Sequence, residues 1–307
     1  MLSIKDAWNT AAVEHDEYML GRIDRLLSLS AKQTGYIKSP ALRSFLKENR
    51  TLFGTGNVST LRSLVAKADA VLTTLTNRQR ANFMSASKKV FDYKGFCDAR
   101  PPSWCAYRLC QMSAYNICPY CNQAFAFTVV GTSNSFRPTL DHFFPKSKYP
   151  YLALSLFNLV PSCYVCNSNL KGDEDFFKIK HLHPLEDDEE IHFELISSSS
   201  EYESFELLRD ERLFDRYGVV VPIRGSDAAN RSISTFLLRE RFFGNLPAIE
   251  RFIKHRRTLT PDKLNEYRQI LGYTRDEATY LQFDATEYKN ELLGKIFLDM
   301  YRQFAPT

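Results

Sequence analysis

Two Cys-x-x-Cys pairs are the residues of this chain whose spacing most plainly suits chemistry: Cys118 with Cys121, and Cys163 with Cys166, separated by residues 122–162. Each pair is a chelating knuckle, and two knuckles supply four thiolates to one tetrahedral zinc ion. Four thiolates leave no position open for water or substrate, so the expected ion is structural. Four coincidental thiols are the alternative. A shared ion would also draw the intervening segment Leu140-Asp141-His142-Phe143-Phe144-Pro145-Lys146-Ser147 close to Asn158 and Asn167. In that way a small site with little regular structure can hold a defined geometry.

The composition suits that chemistry. Seven cysteines are an odd number, and two paired knuckles favour metal chelation in a reducing compartment over a disulfide framework. The other three, Cys97, Cys105 and Cys110, are expected as buried thiols. Residues 1–110 carry 17 Lys/Arg against 9 Asp/Glu, a net +8 within a chain of net +4. A basic front of this kind suits a polyanion partner, although solvated helix faces would give the same count. The first twenty residues are broken by Lys5, Asp6, Glu14, Asp16 and Glu17, and no apolar run approaches spanning length, so a cytoplasmic protein without membrane contact is expected.

The elements that must position these residues are legible as changes of texture. Leu61, Leu64, Val65, Ala68, Val71 and Leu72 recur at helical spacing, and Leu20, Ile23 and Leu27 do so more briefly, with a loop at Gly54–Asn57. From about Ile117 the pattern turns β-prone, through Ala124–Val130, a turn at Gly131–Ser135, and Arg137–His142. Further strands are expected at His192–Ile196 and Val219–Ile223. The tail is helical again, with Ile249, Phe252 and Ile253 on one face and a start at Thr260-Pro261-Asp262. The fold class is therefore α+β. Its expected parts are a helical region 1–112, a core 113–185 holding the knuckles, and a mixed β-then-helical region 186–307.

Asp141-His142, Asn158-Leu159 and Cys163-x-x-Cys166-Asn167 through Lys171-Gly172 resemble the HNH endonuclease motif in its zinc-stapled form. The resemblance covers about 55 residues, Cys118 to Gly172, and implies a ββα-metal core: a strand ending at His142, a strand near Leu159–Pro161, and a short helix through Asn167–Lys171. It implies that His142 is the general base for the attacking water, a task that suits an imidazole of ordinary pKa. Asp141 and Asn167 match the ligands of one catalytic divalent ion, magnesium or manganese, and Asn158 matches the residue that ties down the loop. The third motif position is asparagine where many relatives have histidine, and an amide oxygen is an adequate ligand for a hard metal.

Lys146 and Lys148 lie in the same loop as expected phosphate contacts. Lys171 is one turn beyond Asn167 and within reach of a phosphate oxygen, unless it is simply solvated. The aromatics Phe143, Phe144, Tyr149, Tyr151 and Phe157 are expected to fill the core rather than stack on bases. His181 and His183 are expected to be exposed or locally satisfied, a third metal site being the less favoured reading. His15 and His255 show no partner pattern.

The phrases Cys118-Pro119-Tyr120-Cys121-Asn122, Arg137-Pro138-Thr139-Leu140-Asp141-His142 and Tyr149-Pro150-Tyr151-Leu152-Ala153-Leu154-Ser155 further resemble stand-alone bacterial HNH proteins of anti-phage loci. One such is the HNH subunit of the Septu system, which works with a separate regulatory ATPase. Such a partner would suit the lack of a P-loop motif in this chain. The expected activity is hydrolysis of DNA phosphodiester bonds. The alternatives are an RNA-cleaving enzyme and an inactive zinc-stabilised module that binds nucleic acid or protein.

Overall fold

The computed structural model describes residues 1–29, 39–194, 223–271 and 277–304. They form two compact units. One comprises Ser3–Cys118 and Phe125–Asp187; the other comprises Met1–Leu2, Pro119–Ala124 and Asp188–Thr307. The helices of the expected region 1–112 thus share a unit with most of the expected core.

In the first unit, capping residues set where the helices begin. Ser39 Oγ accepts from Leu42 N ahead of α2 (Pro40–Asn49), with Pro40 in the first turn where its missing N–H costs nothing. Asn57 caps α3 (Val58–Thr73), Thr76 and Gln79 form a reciprocal capping box on α4 (Asn77–Val90), and Asp92 caps α5 (Tyr93–Asp98). The apolar stripes of these helices, and of α1 (Ala12–Ser28) and α6 (Ala106–Gln111), turn inward: Met19, Ile23 and Leu26 from α1, and Leu61, Leu64, Val65 and Ala68 from α3, are buried.

What those helices bury is the loop that precedes the second knuckle. Strands β3 (Thr139–His142) and β4 (Leu159–Ser162) pair antiparallel, Asp141 opposite Val160 and His142 opposite Leu159. Their sixteen-residue connection, 143–158, has little ladder of its own and is held from outside. Tyr151 inserts among Phe45 of α2 and Phe83 of α4, at centroid distances of 5.9 and 6.2 Å. Leu156 N donates to the carbonyl of Gly54, and Trp8 Nε1 donates to that of Leu159. At Gly54 no side chain fits, since a Cβ there would stand 2.1 Å from Asp16 Oδ1. The connection's Phe143, Phe144, Tyr149 and Tyr151 are buried, so they are core and not a stacking platform. A small hairpin, β1 (Val129–Val130) with β2 (Ser135–Phe136), precedes β3, and a short helix, α7 (Val165–Lys171), follows β4. α7 is wound as a π-helix along its length, and Gly172 N, at φ +52°, bonds to Asn167 O, five residues back.

The second unit is built on β5 (His192–Phe193) and β6 (Ile223–Arg224), with α8 (Asp227–Thr235), α9 (Leu238–Phe243), α10 (Leu246–Thr258), α11 (Pro261–Leu271), α12 (Glu277–Leu281) and α13 (Gly294–Gln303). Of the expected strand 192–196, His192–Phe193 form β5, and of the expected strand 219–223 only Ile223, in β6, is described; residues 195–222 lie outside the described residues. Asn122 organises this unit from a distance. Fully buried at φ +54°, it accepts from Leu293 N with its carbonyl and from Lys295 N with Oδ1, and donates through Nδ2 to Glu291 O. It thereby satisfies backbone groups at the start of α13 that the helix itself leaves open. Among the described residues no helix is long and apolar enough to cross a membrane.

Asn122→Ala removes two side-chain hydrogen bonds and places a Cβ-bearing residue without local support in the left-handed region. It should lower unfolding free energy by about 2–4 kcal/mol in urea titrations, with Asn122→Gly about 1 kcal/mol less harmful. Midpoints equal to the parent for both variants would refute this role.

Candidate active site and metal centre

The two knuckles converge. The Sγ atoms of Cys118, Cys121, Cys163 and Cys166 all lie within 4.8 Å of one another, and three of these residues are fully buried. Zinc–sulfur bonds of about 2.3 Å in a tetrahedron set sulfurs about 3.8 Å apart, so the cluster is of a size that closes around one ion. Backbone geometry suits the same end, since Gln123 N points to Cys121 Sγ and Cys166 N to Cys163 Sγ. Among the described residues this is the one such group of metal-binding side chains. The donor chemistry, four thiols and no carboxylate, fits zinc.

The start of β3, Thr139, lies opposite Ser162 next to the second knuckle, and His142 stands at the other end of the strand. His142 is only 5% exposed. Its Nε2 lies 2.9 Å from the carbonyl of Ala153, which can only accept, so the ring proton sits on Nε2 and Nδ1 carries the lone pair. The ring packs edge-on against Tyr93 at 4.4 Å. Burial, reinforced by the nearby Lys146 ammonium, drives the imidazole pKa down to about 3, so it is neutral at physiological pH.

Asn158 explains why Ala153 is where it is. This fully buried amide accepts from Phe144 N at 2.7 Å and donates to the carbonyls of Phe144 and Leu152, both at 3.1 Å. Both ends of the connection are thus tied to one side chain. The next carbonyl along, Leu154 O, holds a second imidazole. His15 Nε2 lies 2.7 Å from it while His15 Nδ1 accepts from Trp104 Nε1.

Asp141 and Lys171 form a buried ion pair, Oδ1 to Nζ 3.1 Å, with side chains 2% and 1% exposed. The same ammonium donates to the backbone carbonyl of His142 at 2.7 Å and lies 5.0 Å from the centroid of Phe176. This corrects the expectation for Lys171. It is neither solvated nor turned to a phosphate, because burial demands a counter-charge and Asp141 supplies it. Asn167 is half-buried in α7. A carboxylate and an amide are the kind of donors a hard divalent ion takes, but one carboxylate oxygen is already held by the ammonium.

Lys146 is exposed, its ammonium 5.5 Å from the Tyr93 ring. Lys148 pairs with Asp175 at 3.3 Å. His181 and His183 are buried and, as the second of the expected alternatives had it, locally satisfied: His181 Nδ1 lies 2.8 Å from Ile179 O and the ring stacks on Phe176 at 3.7 Å, while His183 Nδ1 accepts from Leu185 N and the ring packs on Phe143 at 3.8 Å. They join no metal cluster among the described residues. Cys105 and Cys110 are buried and Cys97 half-buried, and burial pushes the Cys110 thiol up to about 12.

A cleft of about 380 Å³ opens beside the His142 ring. Its wall includes Tyr93 and Ala153, the two neighbours of that ring, together with Lys88, Lys94, Lys146 and Asp173. Tyr93 and Lys88 carry no motif, and only the packing of α4 and α5 against the β3–β4 connection brings them here.

No protein-family model matches the chain, and no curated protein or solved structure is significantly similar to it.

Two outcomes follow from this geometry. Purified chain should contain one zinc ion, released by a mercurial and lost in Cys163→Ser; metal analysis showing none in the parent would dismiss the thiol site. Three of the four buried histidines, His15, His142 and His183, also make stability pH-dependent. Unfolded, each takes a proton near pH 6.5; folded, His15 waits until about 4, His142 and His183 until about 3. The unfolded state therefore binds more protons throughout this window, and stability, full above neutral pH, is lost as pH falls. The slope approaches about 4 kcal/mol per pH unit near pH 5 if all three contribute fully. Urea midpoints that stay flat from neutral pH to about 5 would contradict the burial of these rings as neutral bases.

Proposed function

We propose that this chain is a metal-dependent HNH-type endonuclease that hydrolyses DNA phosphodiester bonds, with β3, β4 and α7 as its ββα-metal core. The observation that carries the reading is His142. It stands at the end of β3, next to Asp141, with its Nε2–H committed to Ala153 O and its Nδ1 left as the basic atom. A neutral ring and a fixed tautomer suit a general base, but its pKa should also lie near the operating pH, and burial holds this one below the ordinary value expected from the sequence.

In this reading the DNA backbone lies along the cleft, where Lys146 and Lys88 face its phosphates. His142 Nδ1 takes a proton from the water that attacks phosphorus, and the bond to the 3′ oxygen breaks, leaving a 5′-phosphate and a 3′-hydroxyl. The negative charge of a bound phosphate raises the proton affinity of the ring, offsetting the depression that burial and Lys146 impose. Asn158 acts through the loop, holding Ala153 O against Nε2. Asp141 and Asn167 would hold a magnesium or manganese ion, which supplies positive charge to the phosphorane and the leaving oxygen. The thiol cluster is structural in this scheme. The resemblance to stand-alone bacterial HNH proteins extends the proposal to anti-phage defence alongside a separate ATPase.

Supercoiled plasmid incubated with the chain and magnesium or manganese should be nicked or linearised. His142→Ala should lower the rate by about a hundredfold or more while keeping zinc and the parent circular-dichroism spectrum. Lys146→Ala should weaken DNA binding and flatten its salt dependence. Cutting that persists undiminished in His142→Ala would rule out this mechanism.

A further inference from the structure

The Asp141–Lys171 pair has a consequence for how any divalent ion reaches this site. The ammonium rests on Asp141 Oδ1 at 3.1 Å and on the His142 carbonyl at 2.7 Å, and both side chains are almost wholly excluded from water. Lysine is almost never buried so completely without a paired charge, and here one carboxylate and one carbonyl receive it, with the Phe176 face beneath. A hard cation drawn to Asp141 would meet a carboxylate whose charge is already cancelled, with the ammonium close by. In a poorly solvated setting like charges this close repel strongly, so the two cations exclude one another.

We propose that Lys171 is the resident counter-ion of Asp141, and that a divalent cation binds this carboxylate only by displacing the Lys171 ammonium. This deepens the nuclease reading and rests on its assignment of Asp141 as an ion ligand. The pair keeps the end of β3 and the start of the connection folded around a compensated charge before any ion arrives. Breaking a buried pair leaves an uncompensated charge, so the ammonium has to leave the pocket. It sits in the last turn of α7, directly before Gly172 and the exposed Asp173 and Glu174. The device makes ion binding weaker than the donor set alone would give.

The test is manganese affinity, read by electron paramagnetic resonance on the full, zinc-loaded chain without DNA. Lys171→Met should bind manganese about tenfold tighter than the parent or better, equivalent to about 1.4 kcal/mol, and Asp141→Asn with Lys171→Met should abolish that gain. Equal affinity in Lys171→Met would overturn the proposal. Weaker affinity would overturn it too, marking Lys171 as a residue that positions Asp141 for the ion. Should Lys171→Met fail to fold, the parent suffices: the ζ-ammonium proton signal of Lys171, protected from solvent exchange without magnesium, should lose that protection at saturation. A signal unchanged at saturating magnesium sinks the idea. Plasmid cutting that depends on His142, with manganese affinity unmoved by Lys171→Met, would overturn this inference alone and leave the nuclease reading standing. Absence of cutting, with the affinity gain present, would do the reverse.

Discussion

The side chain of Asn158 is the constraint on which the rest of the candidate site depends. The connection between β3 and β4 is rich in aromatics and poor in backbone pairing, and a segment of that kind has no ladder to hold it. One buried amide replaces the ladder, bonding Phe144 at one end and Leu152 near the other. With those points fixed, the carbonyls of Ala153 and Leu154 face two imidazoles, His142 and His15. The tautomer of each ring follows from backbone that Asn158 has placed. Each such bond nets about 1 kcal/mol, but leaving its buried partner unmet costs more, so the arrangement tolerates no half-measure.

Around this clamp the first unit assigns its charges economically. Aromatic packing from α2 and α4 seats Tyr151, and the apolar surroundings that result are hostile to ions. The imidazoles respond by staying neutral. Asp141 and Lys171 respond by pairing, each meeting the need of the other. Exposed cations collect instead at the neighbouring cleft, where Lys88, Lys94 and Lys146 remain in water. Burial thus separates neutral imidazoles and a compensated carboxylate from an open cationic wall.

The thiol cluster makes a different contribution. Its four cysteines come from two stretches far apart in sequence, flanking the β1–β2 hairpin, β3, the long connection and β4. An ion shared by them would close that span into a loop, removing conformational entropy from the unfolded chain and adding bond energy to the folded one. Asn122, immediately after Cys121, then extends the same short stretch to the start of α13 through three hydrogen bonds.

The sequence by itself determined the thiol site, the mixed class and the elements with strong local signals. Cys-x-x-Cys spacing is set by covalent geometry, and the starts at Asn57 and Pro261 by capping and by proline's fixed φ; none of these needs distant chain to act. It also marked Asp141, His142, Asn158 and Asn167 as residues to watch. What only the tertiary structure decided is everything set by which groups lie apart in sequence but together in space. Lys171 has the composition of a surface residue and is buried because Asp141 lies across from it. His181 and His183 sit beside an acidic stretch and are buried because Phe176 and Phe143 cover them. Tyr93 carries no motif, and it and Ala153 became neighbours of His142 through the docking of α5 and the Asn158 clamp. Burial and pairing depend on long-range packing, and a local pattern holds no record of it.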